Sequence, residues 1–272
     1  MTQTSRVLAC IGVGAMAGAL IGGVTASGIL PWNQLVLYDV RPEQTDRYRD
    51  TGARIASSIA DAADGADCIL LAVKPQNYPE VLTALSDLPG IAEKLIISIG
   101  AGITVSSVSQ ALRGAPVVRV LPNTPMLVSC GVSVICRNDR VKAEDFAFVR
   151  SLFDASGRSL LIDESEMNRY ISVTSSSPAY VFLLIRAICD GAAAQGLTDP
   201  DILGAVCDMV AGSAKLLAQS GKTPDEMIAM VASKGGTTER ALGVFAAEGL
   251  TQTVERAMQA CTDRADELGR AH

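Results

Sequence analysis

Near its start the chain reads Val7-Leu8-Ala9-Cys10-Ile11-Gly12-Val13-Gly14-Ala15-Met16-Ala17. The apolar run up to Gly12 predicts a strand, and the small residues from Ala15 to Ala26 predict a helix. The turn between them fits the pattern G-x-G-x-x-A, in which the first glycine permits a tight bend and the second lets backbone approach a pyrophosphate. The pattern predicts that a dinucleotide is bound by Gly12, Val13, Gly14, Ala15, Met16 and Ala17. Close packing of a helix made of small residues would give the same sequence pattern. The surrounding sequence therefore has to distinguish dinucleotide binding from simple packing.

The sequence that follows repeats the alternation of strand and helix. Four further apolar runs, at 35–38, 68–73, 95–99 and 117–121, each stop at a turn and are separated by helical segments. Two more strands are predicted at 132–136 and 158–162, around a helix at 142–154. Continuous apolar strands between helices indicate a parallel sheet that is covered on both faces. The first half, residues 1–163, is therefore predicted to be a doubly wound, Rossmann-like α/β domain.

Strand signals end after residue 163, and the second half is predicted to be all-helical. Helices are expected at 180–194, 201–219, 225–231, 239–247 and 251–268. We expect residues 164–272 to form a separate domain whose apolar faces also serve a homodimer or a higher homo-oligomer. A length of 272 residues with 49% hydrophobic content suits two domains.

Charge and cysteine content narrow the class of protein. A net charge of −6 without a Lys/Arg-rich block gives nucleic acid no electrostatic partner. The apolar run 7–30 resembles a signal peptide or a membrane span, but six of its residues are glycines and the α/β interpretation explains it better. Seven scattered cysteines with no histidine nearby predict reduced, mostly buried thiols in a cytoplasmic protein without a metal site.

Three turns are expected at one edge of the sheet, because each follows the carboxyl end of a predicted strand. Ligands bind at this edge in open α/β sheets, although Gly and Pro also end strands without any ligand. The turns predict that the cofactor crevice is formed by Ala72, Val73, Lys74, Pro75, Gly100, Ala101 and Asn123.

The end of the second strand bears on the choice of cofactor, and its residues conflict. Asp39 is the acceptor expected for the free 2′-hydroxyl of NAD, whereas Arg41 is suited to the 2′-phosphate of NADP. Both residues could instead belong to a solvated turn in which Asp39 caps the following helix.

The stretch Ser233-Lys234-Gly235-Gly236-Thr237-Thr238 precedes one of the predicted helices. A Gly-Gly bend followed by two threonines points backbone N–H groups and hydroxyls at one spot, where the helix dipole is positive. Such a spot suits a carboxylate or phosphate, but a simple helix cap has the same letters. The usual proton-transfer residue is missing, since the one histidine, His272, ends the sequence.

These motifs together resemble the pyrroline-5-carboxylate reductase family, which reduces a cyclic imine to proline with a nicotinamide cofactor. The resemblance spans nearly the whole chain and rests on six ordered motifs. They are Gly12 to Ala17, Ala72-Val73-Lys74-Pro75, Val118 to Pro125, Ser177-Pro178-Ala179-Tyr180-Val181-Phe182, Gly212 to Leu217, and Ser233 to Thr238.

The resemblance implies roles for the last of these motifs. The carboxylate of the substrate would lie on Ser233, Gly235, Gly236 and Thr237, and Thr238 would be the catalytic residue that hydrogen-bonds the ring nitrogen. The resemblance also favours NADPH, with NADH possible, and places the nicotinamide near Ala101, Asn123 and the Lys74-Pro75 turn.

Some residues depart from the family pattern. Lys234 stands where proline is common, Ser175 and Ser177 where glycines are common, and Ala15 where a polar residue is frequent. Two other functions therefore stay open. A hydroxyacid dehydrogenase of related build would use Lys215, Lys222 or Lys234 as its base, and a catalytically inactive homologue would still bind NAD(P).

Overall fold

The computed structural model describes residues 6–270, so His272 lies outside the described residues. Eight strands are present: β1 (Leu8–Ile11), β2 (Leu35–Tyr38), β3 (Arg54–Ile55), β4 (Cys68–Leu71), β5 (Leu95–Ser98), β6 (Val117–Leu121), β7 (Gly131–Arg137) and β8 (Gly157–Leu161). The helices of the α/β part are α1 (Ala15–Ala26), α2 (Pro42–Asp46), α3 (Ile59–Ala63), α4 (Tyr78–Ser86), α5 (Val105–Ala111) and α6 (Ala143–Asp154). Those that follow are α7 (Met167–Tyr170), α8 (Ser177–Ala194), α9 (Ile202–Ser220), α10 (Pro224–Val231), α11 (Thr237–Ala247) and α12 (Leu250–Arg270).

All eight strands form one sheet in the order β3-β2-β1-β4-β5-β6-β7-β8. The chain proceeds from β1 outward to β3 on one side and then returns to β4 on the other side of β1. The strand order therefore reverses between β1 and β4, which is the position where open α/β sheets bind their ligands. The predicted doubly wound fold is confirmed.

One part of the sheet differs from the prediction of parallel strands. β7 runs antiparallel to β6, and β8 runs parallel to β7. Residues 122–130 join β6 to β7 and contain only a 3₁₀ turn at Thr124–Val128. A parallel connection needs a crossover of a dozen or more residues, usually a helix, so this short link forces the antiparallel direction.

Apolar side chains fill both faces of the sheet. One buried cluster joins α1 and α6 to the strands through Leu20, Ile21, Val149 and Leu152, and the other joins α3, α4 and α5. The apolar run 7–30 thus supplies β1 and α1, and the side chains of Leu8, Leu20 and Ile21 are at most 1% exposed. Its hydrophobicity is explained by the protein core.

The chain divides into two compact units. One contains the residues up to Ser176 together with those from Cys261 onward, and the other is Ser177–Ala260. The division therefore falls at the start of α8 and within α12, while the predicted domain boundary between residues 163 and 164 stays a prediction.

The second unit, Ser177–Ala260, buries little of its own apolar surface. Val206 is the one residue of this unit, all of which is described, whose exposure falls below a tenth, whereas Phe182, Leu203 and Phe245 are about half exposed or more. By length and composition alone, the segments Glu164–Ala194 and Ile202–Ser220 could also cross a membrane. Large exposed apolar faces are equally what association with a second copy requires.

All seven cysteines are free thiols, but they are not mostly buried as expected. Three are buried, namely Cys10, Cys68 and Cys136, while Cys130 and Cys207 are exposed. Burial raises the pKa of Cys10 to about 12 and that of Cys136 to about 12, and it raises the pKa of Cys68 as well. Buried thiols with raised pKa values are chemically inert at neutral pH.

Because of these thiols, the free energy of unfolding should vary with pH in the alkaline range. A group whose pKa is raised by folding contributes stability below its unfolded pKa, and that contribution is lost as pH rises toward the folded value. The free energy of unfolding should therefore fall between pH 9 and 12. Cys10→Ala removes one such group, so its loss of stability between pH 8 and 11 should be smaller than wild type by about 2 kcal/mol.

Denaturant titrations at the two pH values measure this difference. Ile97→Val, which removes a methyl group from the same buried cluster as Cys10 and no titratable group, serves as the control and should retain the wild-type pH dependence. Equal pH dependence of Cys10→Ala and wild type would contradict the assignment.

Candidate functional site

The turn after β1 brings three strand ends together. The backbone N–H of Gly12 donates to the carbonyl oxygen of Tyr38, at the end of β2, over 2.8 Å. Gly12 has a φ of +89°, and a Cβ at this position would lie 2.8 Å from the carbonyl carbon and oxygen of Ala72, which follows β4. No side chain fits there, so glycine is required both by conformation and by space.

The second glycine leaves the start of α1 open. Gly14 caps the helix without any side-chain hydrogen bond, and the first turn carries no acidic residue. Apart from the residues next to it in the chain, no described residue beyond the start of α1 comes within 4 Å of a Cβ placed on Gly14. The first N–H groups of α1 are therefore available to an anion, and the helix dipole favours one there.

A cleft of about 580 Å³ lies over this turn, within the range of small-molecule sites. Eight of the predicted cofactor residues line it: Gly12, Gly14, Ala15, Asp39, Arg41, Ala72, Val73 and Lys74. Val13 and Ala17 are buried instead, and Met16 packs against the core, so these three support the turn. The cleft also has walls that the sequence did not reveal. They are Val40 in the bend after β2 and, on helical turns, Ile59, Gln76, Asn77, Glu80 and Val81.

Asp39 and Arg41 behave differently in this cleft. One carboxylate oxygen of Asp39 accepts the backbone N–H of Val13 (2.8 Å) and the other accepts that of Arg41 (3.0 Å). The side chain of Asp39 is 8% exposed, whereas that of Arg41 is 59% exposed. Asp39 thus fixes the glycine turn to the end of β2. The Nε of Arg41 lies 3.7 Å from the Asp39 carboxylate, and the exposed Arg41 side chain stays accessible at the rim.

A second cleft, of about 470 Å³, lies beside the first and shares Gln76 with it. Pro75 and Ala101, two of the residues expected near the nicotinamide, line this cleft. They therefore lie apart from the glycine turn, where the phosphates of the dinucleotide are expected. The remaining walls are Gly102, Ile171, Cys261, Arg264 and Ala265. No local pattern marks Cys261 or Arg264 in the sequence, because only the return of α12 to the first unit brings them here.

Two predicted residues have backbone or side-chain groups that are already engaged. Gly100 donates its N–H to the buried hydroxyl of Tyr78 over 2.9 Å. The side-chain amide of Asn123 donates to the carbonyl of Thr174 (2.9 Å) and accepts the N–H of Val132 (2.8 Å). Asn123 therefore connects the turn after β6 to β7 and to the π-helical turn Ile171–Ser175.

In the second unit, the predicted anion cradle forms the start of α11. Gly235 has a φ of +74°, Gly236 caps the helix without a side-chain hydrogen bond, and Thr237 and Thr238 are its first two residues. The N–H of Gly236 donates to the carbonyl of Ser233 over 2.9 Å. The bend therefore leads directly into the start of α11.

The cradle is engaged by a carboxylate of the same chain. Glu239, the third residue of α11, accepts the N–H of Gly235 over 2.6 Å. An acidic side chain at the third helical position normally reaches back to the N–H of the cap residue, and here it reaches one residue further, to Gly235. One N–H of the bend is therefore bonded to a carboxylate, while that of Gly236 is used by the Ser233 carbonyl.

The residues that depart from the family pattern lie in different surroundings. Lys234 is exposed on the second unit, as are Lys215 and Lys222, the other two candidate bases of a hydroxyacid dehydrogenase. Ser175 is half-buried, and its hydroxyl has no hydrogen-bond partner among the described residues. Within residues 6–270, no three His, Cys, Asp or Glu side chains lie close enough to hold a metal ion.

Comparison with known proteins agrees with this arrangement of two parts. Residues 7–102 match the family described as NADP oxidoreductase coenzyme F420-dependent, and residues 164–268 match pyrroline-5-carboxylate reductase dimerisation. The pyrroline-5-carboxylate reductase of Pseudomonas aeruginosa is 37% identical over 98% of this chain and 97% of its own length.

Two solved structures show the same fold along almost the whole chain. A pyrroline-5-carboxylate reductase from Coxiella burnetii has a TM-score of 0.91 at 27% identity and covers 97% of this chain and 99% of its own. The pyrroline carboxylate reductase of Plasmodium falciparum, solved with NADP bound, has a TM-score of 0.87 at 26% identity, with 98% and 99% covered. The resemblance found in the sequence is confirmed, and the chain belongs to the pyrroline-5-carboxylate reductase family.

Proposed function

We propose that the protein reduces L-1-pyrroline-5-carboxylate to L-proline by hydride transfer from NADPH, the last step of proline biosynthesis. The observation that carries the proposal is the bend at Gly235-Gly236-Thr237-Thr238, where the N–H of Gly235 is already bonded to a carboxylate, that of Glu239. It occurs in a chain that is similar to pyrroline-5-carboxylate reductases from end to end. Turnover of pyrroline-5-carboxylate with NADPH is the direct test, and activity only with 3-hydroxy acids would refute the proposal.

The first unit offers the groups that a dinucleotide needs. The uncapped start of α1 and the open space over Gly14 suit the pyrophosphate, and exposed Arg41 suits a 2′-phosphate. Asp39 is directed at backbone, which weakens the case for NADH. The relative from Plasmodium falciparum binds NADP, in agreement with this preference. When bound, the cofactor supplies the hydride.

The second unit offers the groups that the substrate needs. The bend at Gly235-Gly236 would receive the substrate carboxylate, and Thr238 would accept or donate a hydrogen bond at the ring nitrogen. A protonated imine is already an electrophile, so it needs positioning more than a strong acid. As the hydride adds to the imine carbon, the electron pair of the C=N bond moves to nitrogen and a secondary amine results. This chemistry requires no histidine.

The exposed helices of the second unit support a homo-oligomer. Its apolar side chains are exposed in the single chain, and residues 164–268 match a dimerisation family. A second copy would cover these faces, which also accounts for the two apolar segments without a membrane. The absence of a nucleic-acid partner fits the net charge of −6, and free cysteines fit a cytoplasmic location.

Thr238→Ala should lower kcat by about 10- to 100-fold, because a hydrogen bond to a charged group contributes about 1.5–3 kcal/mol. Binding of NADPH, measured by fluorescence titration, should stay within error of wild type. Thr238→Ser retains the hydroxyl and should keep most of the activity. Parallel loss of turnover and cofactor binding in Thr238→Ala would argue against the assigned role.

Arg41→Ala should weaken NADPH binding by about tenfold or more and leave NADH binding nearly unchanged, since one charge-assisted contact to the 2′-phosphate is lost. Isothermal titration with each cofactor measures the ratio. Arg49→Ala is the matched control, because Arg49 is equally exposed and pairs with Asp46 outside the cleft. An unchanged NADPH-to-NADH ratio in Arg41→Ala would rule out this contact.

Glu239→Gln should lower the KM for pyrroline-5-carboxylate by about 3- to 10-fold, because the substrate carboxylate no longer displaces a charged competitor from the Gly235 N–H. Steady-state kinetics at saturating NADPH measure the change. Glu248→Gln, at the other end of α11, removes the same charge and should leave KM unaltered. A higher KM in Glu239→Gln would mean that Glu239 supports the cradle instead of competing for it.

A further inference from the structure

Tyr78 is a fully buried tyrosine at the carboxyl edge of the sheet, and the function proposed above assigns it no role. It is the first residue of α4, and its side chain is among the largest that are completely buried. Its hydroxyl donates to the carbonyl of Leu71 over 2.9 Å and accepts the N–H of Gly100 over 2.9 Å. The hydroxyl of Ser98 lies 3.0 Å away. Tyr78 therefore joins the ends of β4 and β5.

The hydroxyl has no capacity left for a ligand. A phenol offers one donor and two acceptor positions. Since the proton goes to Leu71, both Gly100 and Ser98 act as donors to the oxygen. Burial raises the pKa of Tyr78 to about 12, so the group stays protonated at neutral pH. A role as the acid or base of the reaction is thereby excluded.

The three contacts fix the two turns that border the second cleft. Leu71 immediately precedes the stretch Ala72-Val73-Lys74-Pro75, and Gly100 immediately precedes Ala101. Pro75 and Ala101 both line the second cleft. One hydroxyl group thus holds the start of each turn.

Steric contact fixes the same spacing a second time. A Cβ on Gly100 would lie 2.6 Å from the ring carbons of Tyr78, so the ring packs directly on the Gly100 backbone. Gly100 does not have a positive φ, which means that its lack of a side chain serves this contact and not an unusual conformation.

We propose that Tyr78 is the positioning residue that sets the spacing between the Lys74-Pro75 turn and the Gly100-Ala101 turn, and so aligns the nicotinamide for hydride transfer. The inference rests on the proposed function and on the family resemblance, which implies that the nicotinamide lies near these turns. The adenosine end is held elsewhere, by the glycine turn and Arg41, and does not depend on Tyr78.

The effect of Tyr78 should therefore appear in hydride transfer and not in binding of the adenosine end. Removing the hydroxyl leaves the buried N–H of Gly100 without its acceptor, and the turn relaxes. A displacement of about 1 Å at the reacting centre can cost about 100-fold in rate.

The test uses Tyr78→Phe in the full-length protein. We expect kcat to fall by about 10- to 100-fold and the primary isotope effect with NADPH deuterated at the transferred position to increase, since hydride transfer becomes more nearly rate-limiting. Binding of 2′,5′-ADP, which represents only the adenosine end, should not change. A wild-type kcat and isotope effect, or an equal loss of 2′,5′-ADP binding, would overturn the inference.

A control variant separates alignment from loss of stability. Ile91→Val removes one methyl group from the same buried cluster and so weakens its packing. It should lower the melting temperature without changing the isotope effect. If it changes the isotope effect as Tyr78→Phe does, the role of Tyr78 is general stability only.

A second variant examines the contact from the other side. Gly100→Ala places a methyl group against the ring and should reduce kcat and raise the isotope effect, and the added substitution Tyr78→Leu should restore part of the activity. No recovery in the double variant would count against the inference, also where Tyr78→Phe fails to fold. Failure of the proposed function is seen separately, as lack of pyrroline-5-carboxylate turnover by the wild-type protein.

Discussion

The close approach of Gly12 to the backbone of Ala72 is the constraint on which the rest of the first unit depends. The strand order reverses between β1 and β4, and the chain leaves both strands at this point. A Cβ on Gly12 would lie only 2.8 Å from backbone atoms of Ala72, so the two segments can approach this closely only because residue 12 has no side chain. If the two segments were separated, the start of α1 would move away from the crevice. The same contact thus keeps the two strands packed in the core and holds the start of α1 at the crevice, where its N–H groups can bind an anion.

The crevice also shows how charges near one another take different tasks. Asp39 uses both carboxylate oxygens on backbone N–H groups and is nearly buried, so its charge organises the protein. Arg41 lies two residues later and is exposed, so its charge faces the solvent and any ligand. In the second unit, the carboxylate of Glu239 bonds to the N–H of Gly235, at a bend that also suits the carboxylate of a substrate.

The sequence predicts the sheet well because its strands are buried on both faces and therefore read as unbroken apolar runs. The bounds of α1, β2 and β6 agree with the expectation to the residue. The antiparallel direction of β7 was not predicted, since it depends on the length of the connection from β6. The glycine turn and the rim of the cleft were found from local motifs. By contrast, Tyr78 and Arg264 join their sites only through tertiary packing, which no local pattern records.

The exposure of the helical unit has a consequence for how the protein exists in solution. A unit in which Val206 alone is buried gains little free energy from its own folding. Where folding and association are coupled, the measured stability rises with the concentration of protomers and has no fixed value for a single chain. Dilution would then favour unfolding of this unit, as a denaturant does. When few copies of the chain are present in the cell, its helices would stay exposed to proteases until two copies associate.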